Sequence, residues 1–331
     1  MDFEPPFQGA CKDLLLNSPI INKFPEVEEC ELPVIDLSHL DYEDINRDKC
    51  TNKIAEAASQ WGFFVVVNHG ISPEVLNSIR DEQQKLFHQP FDKKIEQTYL
   101  NLSPLSYRWG NPKATCVQQF SWSEAFHISM ADIPNMNEQH QRLRSTIESY
   151  AKKVSHLAES LAEILAQRLG VESSYIRDHC PSGTSFLRLN RYAPAPCPFS
   201  SEVFGLLAHT DTAFLTIVQQ DQVGGLQLFQ KGRWIGVKPN PEALVVNIGD
   251  LFEAMSNGVY KSIRHRVITN QKVERFSVAY FYCPSLDTVI RSRSTTEPAV
   301  FKSFTLLEYK QQTERDVREL GEKVGLSRFL L

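Results

Sequence analysis

The chain has 331 residues, 42% of them hydrophobic and 23% charged, with 18 prolines and 15 glycines, a composition that fits a globular core and excludes disordered, fibrous and repeat classes. Lys and Arg total 35 against 40 Asp and Glu, a formal charge of -5. The basic excess that binds a nucleic-acid backbone is therefore missing, and a small, neutral or anionic partner is expected. Seven scattered cysteines without C-x-x-C spacing argue against a zinc ribbon or a secreted disulfide framework. No apolar run reaches the roughly 18 residues of a membrane span, and the N-terminus lacks a basic stretch followed by an apolar one. These features point to the cytoplasm, away from any membrane.

The first 30 residues, with Pro5, Pro6, Pro19 and Pro25, are expected to be irregular, and Leu32 to Asp36 reads as a short strand. Helical spacing runs from Asp44 to Ser59, followed by the aromatic and β-branched run Trp61 to Val67, the pattern of a strand buried on both faces. Trp61, Phe63 and Phe64 are taken as core. Ser72-Pro73 opens a helix to Phe87 with a capping serine and proline at its first position. Tyr99 to Asn137 reads as long loops with short strands, a kind of segment that is often functional. From Gln141 to Leu169 a single stripe that includes Ile147, Val154, Leu161 and Leu165 marks a long helix, with Gly170 to end it.

After Gly183 the period shortens. Strands are expected at Ser185 to Leu189, Phe214 to Val218, Gly225 to Phe229, Arg233 to Val237, Ala243 to Ile248, His265 to Ile268 and Phe276 to Tyr282, the spacing of a sandwich or jelly roll. Leu306 to Val324 reads as an amphipathic helix.

His209-Thr210-Asp211 is placed at the entrance to a strand, where side chains i and i+2 share a face and one imidazole and one carboxylate can bind one ion. Alone it means little, since a His-x-acid triplet arises roughly once by chance in such a composition. With His265 at the start of another strand, two His and one carboxylate occupy one face of an octahedron and leave open positions, the facial triad of non-haem Fe(II) oxygenases. An ordinary turn histidine and an ordinary strand histidine remain the bland alternative. Ten residues further on, Arg275 and Ser277 share a strand face, and a guanidinium beside a hydroxyl is a good carboxylate anchor; a structural ion pair of Arg275 is the competing reading.

The order His209-x-Asp211, His265, Arg275-x-Ser277 resembles the plant 2-oxoglutarate and Fe(II)-dependent dioxygenases. Leu32-Pro33-Val34-Ile35-Asp36, Trp61-Gly62-Phe63-Phe64, Asn190-Arg191-Tyr192, Gly224-Gly225-Leu226-Gln227 and Asn247-Ile248-Gly249-Asp250 carry the resemblance over nearly the whole chain. Ser106-Tyr107-Arg108-Trp109-Gly110 and Ser121 to His127 are further similar to the gibberellin 2-oxidases, in particular the group acting on twenty-carbon gibberellins. The resemblance implies a mainly β fold with α, a double-stranded β-helix (jelly-roll) core flanked by helices. It divides into a mostly helical region 1–182 with strands joining the core, a catalytic core 183–284 and a helical extension 285–331.

It further implies Fe(II) bound by His209, Asp211 and His265. The distal carboxylate of 2-oxoglutarate would be held by Arg275 and Ser277, with a hydroxyl from Tyr192 and an amide from Asn190. The reaction implied is decarboxylation of 2-oxoglutarate to succinate coupled to hydroxylation by dioxygen of a gibberellin at carbon 2, inactivating the hormone, with ascorbate stimulatory. A hydrocarbon acid as substrate needs an apolar cavity and a cation. Arg108, between Tyr107 and Trp109, is the candidate cation, and Tyr107 joins it as a candidate contact. Phe281, four residues after Ser277, is expected to face the metal chamber, with barrel packing as the alternative. His69 and His127 have no carboxylate two residues away and are left out of the metal site. The chain departs from the family at Ala193-Pro194-Ala195-Pro196, Ala208 and Ala213, which affects loop shape rather than the ligand set. A dioxygenase acting on a flavonoid or another plant metabolite, and a non-catalytic ligand-binding module, remain as rivals.

Overall fold

The computed structural model describes residues 3–16, 27–41, 45–111, 114–116, 119–172, 174–195, 203–293 and 297–331. The expected helix start at Asp44, and Pro19, Pro25 and Pro196, lie outside these residues.

Strands β1 (Glu29–Cys30), β2 (Val34–Asp36), β3 (Phe63–Val67), β4 (Tyr107–Trp109) and β5 (Glu124–Ser129) come from the first half of the chain. The second half supplies β6 (Phe186–Tyr192), β7 (Phe204–His209), β8 (Leu215–Gln220), β9 (Leu226–Gln230), β10 (Arg233–Val237), β11 (Leu244–Ile248), β12 (His265–Ile268) and β13 (Arg275–Tyr282). They form an eight-stranded sheet in the order β2-β3-β11-β8-β13-β6-β5-β4 and a five-stranded sheet in the order β1-β10-β9-β12-β7. The short pair β14 (Val289–Ile290) and β15 (Phe304–Thr305) stands apart. The fold is a jelly-roll core flanked by helices.

Helices α1 (Phe7–Leu16), α2 (Ile45–Gln60), α3 (Pro73–Phe87), α4 (Phe91–Ile95), α5 (Gln141–Arg168), α6 (Ser174–His179), α7 (Asp250–Met255) and α8 (Leu306–Leu320) complete the chain. Pro73 sits in the first turn of α3 after Ser72, although the serine side chain makes no capping bond. Gly170, at φ 74°, takes the left-handed conformation just past α5. The expected C-terminal helix stops early, at Leu320, because Gly321 is left-handed at its end. Its start is fixed by a reciprocal cap between Thr305 and Glu308.

Period-two alternation sorts the large sheet into two faces. From β6 and β13, Leu187, Leu189, Val278 and Tyr280 join Ile147, Tyr150, Val154 and Leu161 of α5 in one buried cluster. The opposite face meets the small sheet: Phe63, Val65, Tyr192 and Val245 pack with Leu226, Leu228, Ile235 and Val267. The space between the sheets holds the site.

Two regions differ from expectation. The N-terminal segment is not irregular throughout: α1 buries Phe7 and Cys11 against Phe120 and Trp122. Strand β7 was not foreseen, because its second residue is Gly205, a residue that weakens a strand pattern. The structure explains that glycine: a Cβ there would lie 2.6 Å from the Tyr192 ring.

Candidate metal and co-substrate site

His209 is the last residue of β7, and Asp211 lies beyond it in the loop to β8. This corrects the expected strand entrance; the pair converges through the turn rather than through a shared strand face. His265 opens β12 and pairs directly with His209 across the ladder, bringing the two ring centroids to 4.3 Å. Asp211 Oδ1 lies 3.4 Å from His209 Nε2 and 3.8 Å from His265 Nε2. All three ligand atoms fall within 4.8 Å of one another.

The surroundings set which atoms are free. His209 Nδ1 lies 2.8 Å from the carbonyl of Leu207, and His265 Nδ1 3.0 Å from that of Ile263. Each bond requires the proton on Nδ1 and leaves the Nε2 lone pair pointing at the carboxylate, the usual way a protein orients metal-binding imidazoles. Asp211 Oδ2 accepts from Thr216 Oγ1 at 2.7 Å and Asn247 Nδ2 at 2.8 Å, so Oδ1 is the oxygen left for an ion. Burial, with His209 beside it, pushes the His265 pKa down to about 4 against the pull of Asp211; the ring is neutral at neutral pH and its lone pair is available. Burial alone would raise the Asp211 pKa, but His265, His209 and Asn247 bring it below the ordinary carboxylate range. The hydrogen bonds that Thr216 and Asn247 donate to Oδ2 favour the ionised carboxylate.

The same cavity, about 530 Å³ of empty space with its mouth, runs along β6 and β13. Arg275 pairs with Tyr192 and Ser277 with Asn190. Arg275 is 3% exposed; it donates from one terminal nitrogen to Gln220 Oε1 at 3.0 Å and lies 4.8 Å over the Tyr192 ring. Its Nε and other terminal nitrogen have no partner. A buried guanidinium with two orphaned donors is an anion site waiting for a carboxylate. Asn190 Nδ2 reaches Ser277 Oγ at 3.4 Å, and Gln83 Nε2 donates to the carbonyls of both residues, tying β6 to β13 behind them.

Residues 183–284 match the family model of the 2OG-Fe(II) oxygenase superfamily, and residues 32–147 that of the non-haem dioxygenase in morphine synthesis N-terminal region. Gibberellin 2-beta-dioxygenase 8 of Arabidopsis thaliana is 51% identical over 99% of this chain and 98% of its own length. The chain belongs to the 2-oxoglutarate- and Fe(II)-dependent oxygenases. Gibberellin 2-beta-dioxygenase 5 of Oryza sativa subsp. japonica is 47% identical over 92% of this chain and 89% of that protein. The crystal structure of JOX2 in complex with 2OG, Fe and JA matches with a TM-score of 0.77 at 30% identity, covering 96% of each chain. The rice dioxygenase for auxin oxidation matches with a TM-score of 0.76 at 27% identity, covering 91% of this chain and 100% of that one. The cofactors of this oxygenase are accordingly Fe(II) and 2-oxoglutarate, and the donor set of two imidazoles and one carboxylate, with the orphaned Arg275, suits both.

The oxygenase brings His209, Asp211, His265, Arg275, Ser277, Tyr192, Asn190 and Phe281 to one cavity. It does not bring Tyr107 there. The Tyr107 hydroxyl donates to Glu124 Oε2 at 2.6 Å, and the ring lines a different cavity beside Lys94 and Leu100. Arg108 is exposed and donates from Nε to the carbonyl of Leu105 at 3.1 Å. The pairing of Arg108 with aromatic neighbours fails because adjacent strand residues face opposite ways. Phe63, taken as plain core, also walls the cavity, its ring 5.3 Å from that of His265. Residues missed altogether are Thr216, which carried no local signal, and Arg188, whose two-residue offset from Asn190 places it on the same strand face.

Proposed function

We propose that this oxygenase hydroxylates gibberellins at carbon 2 and so inactivates the hormone. His209, Asp211 and His265 hold Fe(II), while Arg275 and Ser277, with Tyr192 and Asn190, hold 2-oxoglutarate. The observation that carries the reading is the convergence of three oriented ligand atoms and two orphaned Arg275 donors in one cavity, in a chain 51% identical to a gibberellin 2-beta-dioxygenase. The residues proposed to hold metal and co-substrate all fall between 183 and 284, which supports reading that segment as the catalytic core, with 1–182 and 285–331 as its helical surroundings.

Iron, when bound, couples the oxidative decarboxylation of 2-oxoglutarate by dioxygen to hydroxylation of the substrate. The chain's own work is placement. Leu207 and Ile263 fix the two imidazoles through their carbonyls. Thr216 and Asn247 aim one oxygen of Asp211 at the iron position. Arg275, 4.8 Å over the Tyr192 ring, neutralises the distal carboxylate of the co-substrate. Leu206, Val218, Leu226 and Val267 give the cavity an apolar wall suited to a hydrocarbon skeleton. We place the activity in the cytoplasm: all six described cysteines are free, and among the described residues no helix is long and apolar enough to cross a membrane.

The test is mass spectrometry of anaerobically iron-loaded protein, aerated with 2-oxoglutarate and a panel of gibberellins of both skeleton sizes and flavonoids. Gibberellin plus one oxygen in step with succinate is expected, and Asp211→Ala should lower that yield by more than about 100-fold. Succinate without any oxidised gibberellin sinks the substrate assignment; iron binding without succinate sinks the catalytic one.

A further inference from the structure

Three residues of β6, Arg188, Asn190 and Tyr192, alternate onto the cavity face. Asn190 and Tyr192 belong to the co-substrate end, opposite Ser277 and Arg275. Arg188 pairs instead with Ala279. Four residues along β13 separate Ala279 from Arg275, about 13 Å at roughly 3.3 Å per residue. The two arginines thus stem from different parts of the cavity wall, Arg275 beside the co-substrate residues and Arg188 toward Phe281.

Arg188 forms no ion pair and no side-chain hydrogen bond among the described residues. It is half-buried, and desolvation lowers its guanidinium pKa, with Arg108 adding to the effect and Tyr192 and Asp211 opposing it. A guanidinium that lines the cavity without a protein partner is free to take an anion from it. Its neighbours make the rest of a binding surface. Phe186 and Phe281 stack at 4.5 Å with 12° between their planes, and His127, the ladder partner of Arg188 on β5, lies 4.2 Å from Phe186. Burial, then Arg188, Arg108 and Lys310, push the His127 pKa down to about 4, with Asp132 opposing. The ring is neutral at neutral pH and completes an uncharged wall beside the arginine.

We propose that Arg188 binds the carboxylate of the organic substrate and lays its apolar skeleton along Phe186 and Phe281, so that the enzyme selects apolar acids over their neutral analogues. This rests on the gibberellin reading above and deepens it. It also moves the substrate-binding cation from Arg108, exposed on the edge strand β4, to Arg188 on the cavity wall. Arg275 is left to the co-substrate.

The experiment is calorimetric titration of the anaerobic Fe(II)–2-oxoglutarate holoenzyme with a gibberellin and with its carboxyl methyl ester, for the unaltered protein, Arg188→Met and Arg188→Lys. The unaltered protein should prefer the acid by at least about 30-fold, the scale of losing one partner of a buried charge pair. Arg188→Met should bind acid and ester alike, and Arg188→Lys should keep a reduced preference for the acid. The acid-to-ester ratio is insensitive to partial misfolding, which weakens both ligands together. An unchanged ratio in Arg188→Met overturns the proposal and leaves the gibberellin reading standing. A variant that instead loses 2-oxoglutarate affinity also overturns it, assigning Arg188 to the co-substrate. If the unaltered protein binds neither acid nor ester, the gibberellin reading fails and the anchor with it.

Discussion

On the helix-facing side of β6, Arg191 is wrapped by carboxylates: Glu124 at 2.7 Å, Glu274 at 2.8 Å and Glu4 at 2.9 Å. On the cavity side of the same strand Arg188 meets none, and Arg275 on the neighbouring β13 keeps two donors unpaired. The first face closes its electrostatics within the protein. Lys94 adds a bond to Glu124 at 2.6 Å and donates to the carbonyls of Phe3 and Phe87, so the network also fastens the N-terminal segment to the sheet. The second face leaves its charges open. A buried cation with its partners in place is structure, whereas one without them is a binding site.

Replacing the same residue type on each face should therefore fail in different ways. Arg191→Met takes a buried partner from Glu124 and Glu274, leaving them Lys94 and His88, and should cost about 3 kcal/mol of stability, read by urea unfolding, with the KM for 2-oxoglutarate little changed in the folded fraction. Arg275→Met removes a charge that is incompletely satisfied without ligand. It should leave ligand-free stability unchanged or slightly raised, while the KM for 2-oxoglutarate rises at least about 30-fold. A large stability loss in Arg275→Met, or a large KM effect in Arg191→Met, would break the distinction.

What was legible in advance follows the same division. The alternation of β6 and β13 is local, so the strands, and the facing of Arg275 with Ser277, follow from period two alone. The strongly periodic α5 was expected within a residue of its observed end. The metal residues emerged from the order of widely spaced motifs in a resemblance, and their joint geometry needed the fold. The roles of Thr216 and Asn247 depend on contacts across separate strands, and no local pattern encodes them. Arg108 does not share a face with Tyr107 and Trp109, since period two sends sequence neighbours to opposite sides of a strand. Arg188 went unremarked because its distinguishing property, the lack of a partner, exists only in three dimensions.

Within the site the comparison sharpens to groups that touch a ligand and groups that act at one remove. Asn247 donates directly to Asp211 Oδ2. Asn247→Ala lets the carboxylate rotate and should weaken Fe(II) binding about 10- to 100-fold, measured by competition with a chromophoric chelator. Asn247→Asp is expected to do at least as much harm, since a second carboxylate then faces the first. Equal iron affinity in both variants and the unaltered protein would remove Asn247 from the site.

Lys323 acts further out. Its Nζ lies 2.6 Å from Asp250 Oδ2 and donates to the Thr210 carbonyl at 2.9 Å and Thr212 Oγ1 at 3.1 Å. Tyr309 and Thr210 hydroxyls donate to the same Asp250 oxygen, and the Asp250 amide donates to the Asp211 carbonyl at 2.8 Å. The C-terminal segment thus clamps the loop between the first two metal ligands without touching an ion. Lys323→Met should weaken Fe(II) retention by about 10-fold or less, with the KM for gibberellin unchanged. A second C-terminal ion pair supplies the contrast. Arg328 bonds Asp316 at 3.0 Å without reaching that loop. Arg328→Met leaves a carboxylate that is 1% exposed with the Gln312 amide but no cation and should lower thermal stability while sparing iron. If the two variants lose iron equally, general loosening of the C-terminal segment explains both, and the specific clamp of Lys323 on Thr210 is refuted.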